Sequence, residues 1–321
     1  MEYLKYSLIF IILISLEIIY IPIAKKFKIG NEVTPRSSHK EFQITGGGFI
    51  FYFAAILYYL FFNNISESFN IILIGATALA GISFYDDIKS VSPWIRLVIQ
   101  ILVVAITFNQ LFINEHYHIY LLLLICGVGF INAYNFMDGI NGILTGYTAI
   151  TLLSILYANH LFGVNSDLQP FIIILLISTI IFGYFNFRKK AKCFAGDVGA
   201  IVMGFFILYL MSQFILSTSD ASIIVFLIVY AVDSVYTIFQ RLYAGENIFL
   251  PHRHHLYQIL ANQWQISHHK VSSYYAIVQM LINFTYFIIP KELRWSYLII
   301  ILITLTVIYF IIKRSPISKN N

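Results

Sequence analysis

Apolar runs recur along the chain at about 4–24, 46–63, 70–85, 94–112, 118–134, 142–162, 170–187, 199–217, 222–240, 271–289 and 296–312. A helix needs about 20 apolar residues to cross the hydrocarbon core of a bilayer. Lipid offers no partner to a backbone N–H or C=O, so each run is expected to satisfy its own groups as a helix. The expected fold is therefore all-α: a polytopic integral membrane protein with about eleven transmembrane helices. Short polar stretches separate the runs, with no internal repeat or long linker, so residues 1–321 read as a single membrane-embedded domain. The run from Leu4 to Ala24 is too long for the apolar region of a signal peptide and is followed by no small-residue cleavage pattern. It is expected to stay as the first membrane helix.

Composition agrees. The chain is 59% hydrophobic and 11% charged, against about 25% charged in soluble domains. Its 23 tyrosines suit a protein with many membrane–water boundaries, where amphipathic rings settle. Cys126 and Cys193 are expected to form neither a disulfide nor a metal–thiolate site.

Charge adds orientation. Numbering the loops alternately puts 25–45, 86–96, 188–192, 241–270 and the tail from Lys313 on one side. All of the 20 basic residues lie there except Lys5, Lys291 and Arg294. The positive-inside rule makes that side cytoplasmic, with the N-terminus outside and the C-terminus inside. Topology alone accounts for the lysines. It does not account for acids, asparagines and histidines gathered in the same loops.

Asp86 and Asp87 end the third run. Adjacent carboxylates repel unless a cation or a substrate proton lies near, and a solvated loop pair is the rival reading. Asn132, Asn135 and Asp138 recur every three residues and so share a helix face, followed by Gly139, Asn141 and Gly142. So many polar groups at the end of a membrane helix exceed what one cap explains. Asp197 stands between Gly196 and Gly199 at a helix start, where it is either an N-cap or a metal ligand. His252, Arg253, His254 and His255 follow Pro251. Adjacent histidines chelate a single zinc ion poorly, and no Cys or HExxH partner is present. Phosphate binding suits them better. Arg36, Ser37, Ser38 and His39 precede Gly46, Gly47 and Gly48, whose N–H groups can face an anion or whose bare backbone can allow tight packing. Asp233 lies inside the ninth run, as a functional acid or a helix-to-helix hydrogen bond. Glu17 in the first run is read as structural.

In this order the motifs RSSH…GGG, DD, NxxNxxDGxNG, GDxGA and HRxH resemble the polyprenyl-phosphate N-acetylhexosamine-1-phosphate transferase superfamily of the MraY/WecA type, glycosyltransferase family 4, across residues 36–258. Leu256-Tyr257-Gln258 and Ser92-Pro93…Arg96…Gln100 are similar to the branch that starts O-antigen and related lipopolysaccharide glycans. The resemblance implies transfer of a sugar-1-phosphate from a UDP-sugar to undecaprenyl phosphate, releasing UMP, with Mg²⁺ or, in its place, Mn²⁺. It implies metal ligation by Asp197 and Asn135. It gives catalytic roles to Asp86, Asp87 and Asp138, with Asp138 and Asn132 also helping to bind the nucleotide or order the metal site. Substrate binding falls to Asn132, His252, Arg253, His254 and His255, with Arg36 and His39 toward the lipid phosphate. It implies a bacterial inner (plasma) membrane location with a cytoplasmic active site. Membrane lipids and a second copy of the chain in a homodimer are the expected partners, and nucleic acid is not. The sequence departs from the pattern at Asn141, where many bacterial members carry a second Asp, at Thr34-Pro35 and at Ala200. N-acetylglucosamine is the default sugar, and a related deoxysugar fits the branch as well.

Two other readings compete. A secondary transporter predicts repeats and ionisable groups near the bilayer midplane. A catalytically inactive scaffold of a glycan-assembly complex does not require Asp86, Asp87, Asp138 and Asp197.

Overall fold

The computed structural model of the chain describes residues 2–31, 42–62, 67–112, 117–164, 166–248 and 252–315. Each predicted apolar run is helical. The long helices are α1 (Glu2–Lys26), α2 (Phe49–Phe61), α3 (Glu67–Ile88), α4 (Pro93–Leu111), α5 (Tyr117–Phe136), α6 (Ile143–Phe162), α7 (Gln169–Asn186), α8 (Gly196–Thr218) and α9 (Ile228–Tyr243). A short helix α10 (Leu256–Gln258) follows, then α11 (His268–Ile288) and α12 (Arg294–Arg314). A two-residue antiparallel pair, β1 (Gly30–Asn31) with β2 (Gln43–Ile44), was not expected from the sequence. The protein is an all-α, multi-pass membrane protein.

Among the described residues, nine helices are long and apolar enough to cross a membrane. Two predicted spans are missing from that set, for different reasons. Helix α2 is only 13 residues long. Helix α6 is long enough but polar on one face. There Tyr147 donates to Gln279 on α11 (2.8 Å), Asn283 donates to Ser154 (2.7 Å), and the Tyr147 ring stacks 3.5 Å from that of Tyr230 on α9. Helix association in lipid has little hydrophobic drive, so side-chain hydrogen bonds such as these take its place. Large apolar residues instead cover the outside, among them Ile106, Leu122, Phe284 and Ile311.

Helix α8 is the hub. It packs against α2, α3, α4, α5 and α6 and is buried along most of its length. Contacts at the helix ends fix the alternation. At one end Lys5 of α1 donates to the carbonyl of Phe61 closing α2 (2.7 Å), and Tyr58 donates to the carbonyl of Asp167 before α7 (2.9 Å). Arg294 pairs with Asp220 (3.1 Å) in the connections that the charge pattern assigns to that same end. The end of α3, the start of α4, the end of α5 and the start of α8 meet at the opposite end.

Candidate active site

The acidic pair at the end of α3 is divided between two tasks. Asp86 turns toward α4: it accepts the Val91 N–H (2.6 Å) and the Arg96 guanidinium (2.5 Å). Asp87 turns toward α8, where it accepts the backbone N–H groups of Asp197 (3.1 Å) and Val198 (3.2 Å). A helix start leaves its first N–H groups without intrahelical partners and carries partial positive charge. Here a carboxylate from another helix caps them. Gly196 permits this approach, since its φ of +71° is left-handed and a Cβ there would meet the Asp87 carboxylate at 2.5 Å.

The Asp197 side chain is therefore free of capping and faces the site. It pairs with Arg96 and accepts the Asn135 amide N–H (3.3 Å). Asp86, Arg96, Asn135 and Asp197 thus form one connected group drawn from α3, α4, α5 and α8. Asp138 lies just beyond the end of α5, and its Oδ1 is buried with no hydrogen-bond partner among the described residues. Burial and then the negative charge of Asp197 raise its pKa to about 7.

The other predicted residues have different surroundings. Asn132 spans two helices, donating to Gln100 (2.6 Å) and the Val128 carbonyl (2.9 Å). Asn141 donates to the carbonyls of Arg188 (2.9 Å) and Lys189 (3.4 Å), so it fastens the basic loop after α7. The glycine run serves packing rather than anion capture. Gly47 and Gly48 donate to the carbonyls of Phe194 and Ala195 (both 3.0 Å), and a Cβ on Gly48 would meet the Gly199 backbone at 2.3 Å. Arg36 and His39 lie outside the described residues.

The histidine loop is held by Asp233. Its carboxylate accepts the N–H groups of Leu256 (2.8 Å) and Tyr257 (3.2 Å) and the Tyr275 hydroxyl (2.6 Å), and lies 3.3 Å from His255 Nδ1. The intramembrane acid is thus an anchor for the loop that begins about two turns after it. His255 is only 1% exposed, so it is part of that anchor's packing. His252 and His254 flank it, with His252 half-buried and His254 exposed. Burial, with the nearby His255 and Arg241, pushes the His252 pKa down to about 3. His254 is also shifted down by burial, against the pull of Glu246 at 3.6 Å. The two rings are therefore neutral at pH 7, where they can act as N–H donors rather than charges. Tyr257 ties this loop to the asparagine motif by donating to the Phe136 carbonyl (2.9 Å).

Four linking residues were not assigned a role from the sequence. Arg96 stood out there only as part of a branch signature, and Gln100 likewise. Asn186 is buried at the end of α7, accepts the Gly142 N–H (2.8 Å) and donates to the Cys193 carbonyl (2.9 Å), so it joins two motifs. Tyr275 has no local signal at all. A buried polar residue ending an apolar run was the signal available for Asn186.

Among the described residues no three His, Cys, Asp or Glu side chains form a ready-made metal cluster. Mg²⁺ does not require one: it binds through one or two carboxylates, waters and substrate phosphates. The hard oxygens of Asp86, Asp138, Asn135 and Asp197 suit that mode. The arrangement presents carboxylates, a guanidinium and a neutral histidine pair at one end of the bundle.

Residues 69–215 match the family described as Glycosyl transferase family 4, a stretch that contains Asp86, Asp87, Asn135, Asp138 and Asp197. Over that stretch the chain is similar to glycosyl transferase family 4. Among its relatives is a probable undecaprenyl-phosphate N-acetylglucosaminyl 1-phosphate transferase of Bacillus subtilis, 24% identical over 316 residues, which cover 92% of this chain and 87% of the relative. A phospho-N-acetylmuramoyl-pentapeptide-transferase of Lactobacillus gasseri is 27% identical over 307 residues, covering 82% and 94%. One of the same description from Dictyoglomus turgidum is 28% identical over 211 residues, covering 59% and 66%.

Proposed function

We propose that the protein transfers an N-acetylhexosamine-1-phosphate from a UDP-sugar to undecaprenyl phosphate, at the cytoplasmic face of the bacterial inner membrane, and so initiates a cell-surface glycan of the O-antigen type. The observation that carries this reading is the convergence of Asp86, Asp87, Asn135, Asp138 and Asp197 at one end of a membrane bundle. The name of the Bacillus subtilis relative points to the same lipid acceptor.

In this reaction an oxygen of the lipid phosphate attacks the β-phosphorus of the UDP-sugar. A new P–O–P linkage forms as the bond from the β-phosphorus to the bridging oxygen breaks, and UMP leaves with that electron pair. Several anionic oxygens meet, so positioning and charge neutralisation dominate. When bound, Mg²⁺ supplies part of that neutralisation, and Asp197 and Asn135 are the residues that would hold it. Mn²⁺ is the expected substitute. Asp86 orients the acceptor, and Asp87 fixes the α8 start that carries Asp197. Asp138 takes the remaining proton of the lipid phosphate, a task suited to a carboxylate that titrates near neutrality. The loop of His252, Arg253 and His254 binds the donor diphosphate, with Arg253 as its cation and His255 holding the loop in place. Asn132 keeps the α4–α5 pair in register beneath the nucleotide. Arg36 and His39 contact the lipid phosphate.

Purified protein incubated with undecaprenyl phosphate, Mg²⁺ and a panel of UDP-N-acetylhexosamines tests the reading. UMP release that stops with EDTA is expected, and the panel names the sugar. Release of UDP overturns it.

A further inference from the structure

One cation in the site has no assigned task. Arg96, in the first turn of α4, places Nη1 against Asp86 Oδ2 (2.5 Å) and against Asp197 Oδ2. One nitrogen thus bridges carboxylates from α3 and α8 that lie far apart in sequence. The bridge is also incomplete as an arginine site. A guanidinium presents five N–H donors in a fixed fork and commonly binds a carboxylate through two of them. Here a single nitrogen serves both acids, and Nε is buried with no hydrogen-bond partner among the described residues. Arg96 is therefore spread across two carboxylates in the way a point charge would be, at the sacrifice of its own donor geometry. Its side chain keeps 24% exposure, which leaves it room to swing out.

We propose that Arg96 is the resident counter-charge of this site: it holds Asp86 and Asp197 together before substrate arrives, and it exchanges with a divalent cation for the same oxygens. The inference rests on the metal-dependent transferase reading above. Its physical basis is simple. Two carboxylates facing one another raise each other's energy unless a positive charge lies between them. A guanidinium and a divalent cation that seek the same oxygens bind in competition, and that coupling is reciprocal. Arg96 is thus a positioning residue whose removal should tighten metal binding, whereas a residue that merely supports the fold would loosen it when removed.

The test is titration of the full-length, detergent-purified protein with Mn²⁺, followed by electron paramagnetic resonance, with no nucleotide or lipid present. Arg96→Gln is expected to bind Mn²⁺ about tenfold more tightly than the unaltered chain, within the range usual for competing sites. Arg96→Lys, which keeps the charge on a shorter side chain, is expected to fall between them and serves if Arg96→Gln does not fold. Equal or weaker binding in these variants, with Mn²⁺ still bound by the unaltered protein, overturns the exchange and leaves the metal reading standing. Absence of Mn²⁺ binding in every form, Asp197→Asn behaving no differently from the rest, overturns both.

Discussion

The carboxylate of Asp87 accepts the backbone N–H of Asp197, 3.1 Å away, so the last turn of α3 closes the open start of α8. Two acids that stand in different motifs are thereby held in one fixed relation, and only one of them presents its side chain to the site. A side-chain cap at a helix start contributes about 1 kcal/mol. Asp87→Ala should lower the melting temperature of the detergent-purified protein by several degrees and abolish turnover. Asp87→Asn, which keeps one of the two accepting oxygens, should lie between. An Asp87→Ala protein that melts with the unaltered one would refute the cap.

Asp138 contributes one limb of the pH profile. Its pKa is raised to about 7, by burial first and by Asp197 second. Turnover should rise with pH through about 7, and Asp138→Asn should lose both most of its rate and that rising limb. Stability should move the other way. An acid whose folded pKa lies above its unfolded value, about 3.9, contributes stability that is fully present below that value and is lost as pH rises through about 7. The melting temperature of the unaltered protein should therefore fall between about pH 4 and 7, and less steeply in Asp138→Asn. Parallel thermal curves for the two proteins would contradict this.

The histidine loop depends on Asp233, which is only 2% exposed and receives the N–H groups of Leu256 and Tyr257. Asp233→Asn places an amide where a carboxylate accepts, leaving buried donors facing one another. The KM for the UDP-sugar should rise on the order of tenfold or more, since displaced binding groups are costly to catalysis. Faster proteolytic cleavage within 245–255 should accompany it. An unchanged KM would show that the loop is held without Asp233.

Much of this was legible in the sequence. Hydropathy located every long helix, because lipid forces apolar runs to be helical. Asn135 and Asp197, from separate motifs, come within 3.3 Å of one another. What escaped was decided between helices. Nothing local to Asp87 announces that its partners are backbone groups 110 residues away. The glycine run read equally well as an anion cradle or a packing surface, and only the approach of Gly199 to Gly48 decides for packing.

Asn141 illustrates how a departure from the family pattern can be fitted to its surroundings. Its amide donates to the carbonyls of Arg188 and Lys189, and it is 2% exposed. Asn141→Asp restores the commoner residue yet sets a carboxylate against carbonyl oxygens, an unsatisfied arrangement worth about 1–3 kcal/mol. The variant should therefore melt several degrees lower than the unaltered protein. Equal or greater stability in Asn141→Asp would show that the clamp on the basic loop is not what the asparagine provides.

The central claim concerns which phosphorus moves. Supplying UDP-N-acetylglucosamine radiolabelled at the β-phosphorus, together with undecaprenyl phosphate and Mg²⁺, follows that atom directly. The account predicts label in the organic phase, as a lipid diphosphate sugar, with unlabelled UMP in water and no transfer by Asp197→Asn. Label retained in water as UDP, with sugar carried to the lipid, would contradict it.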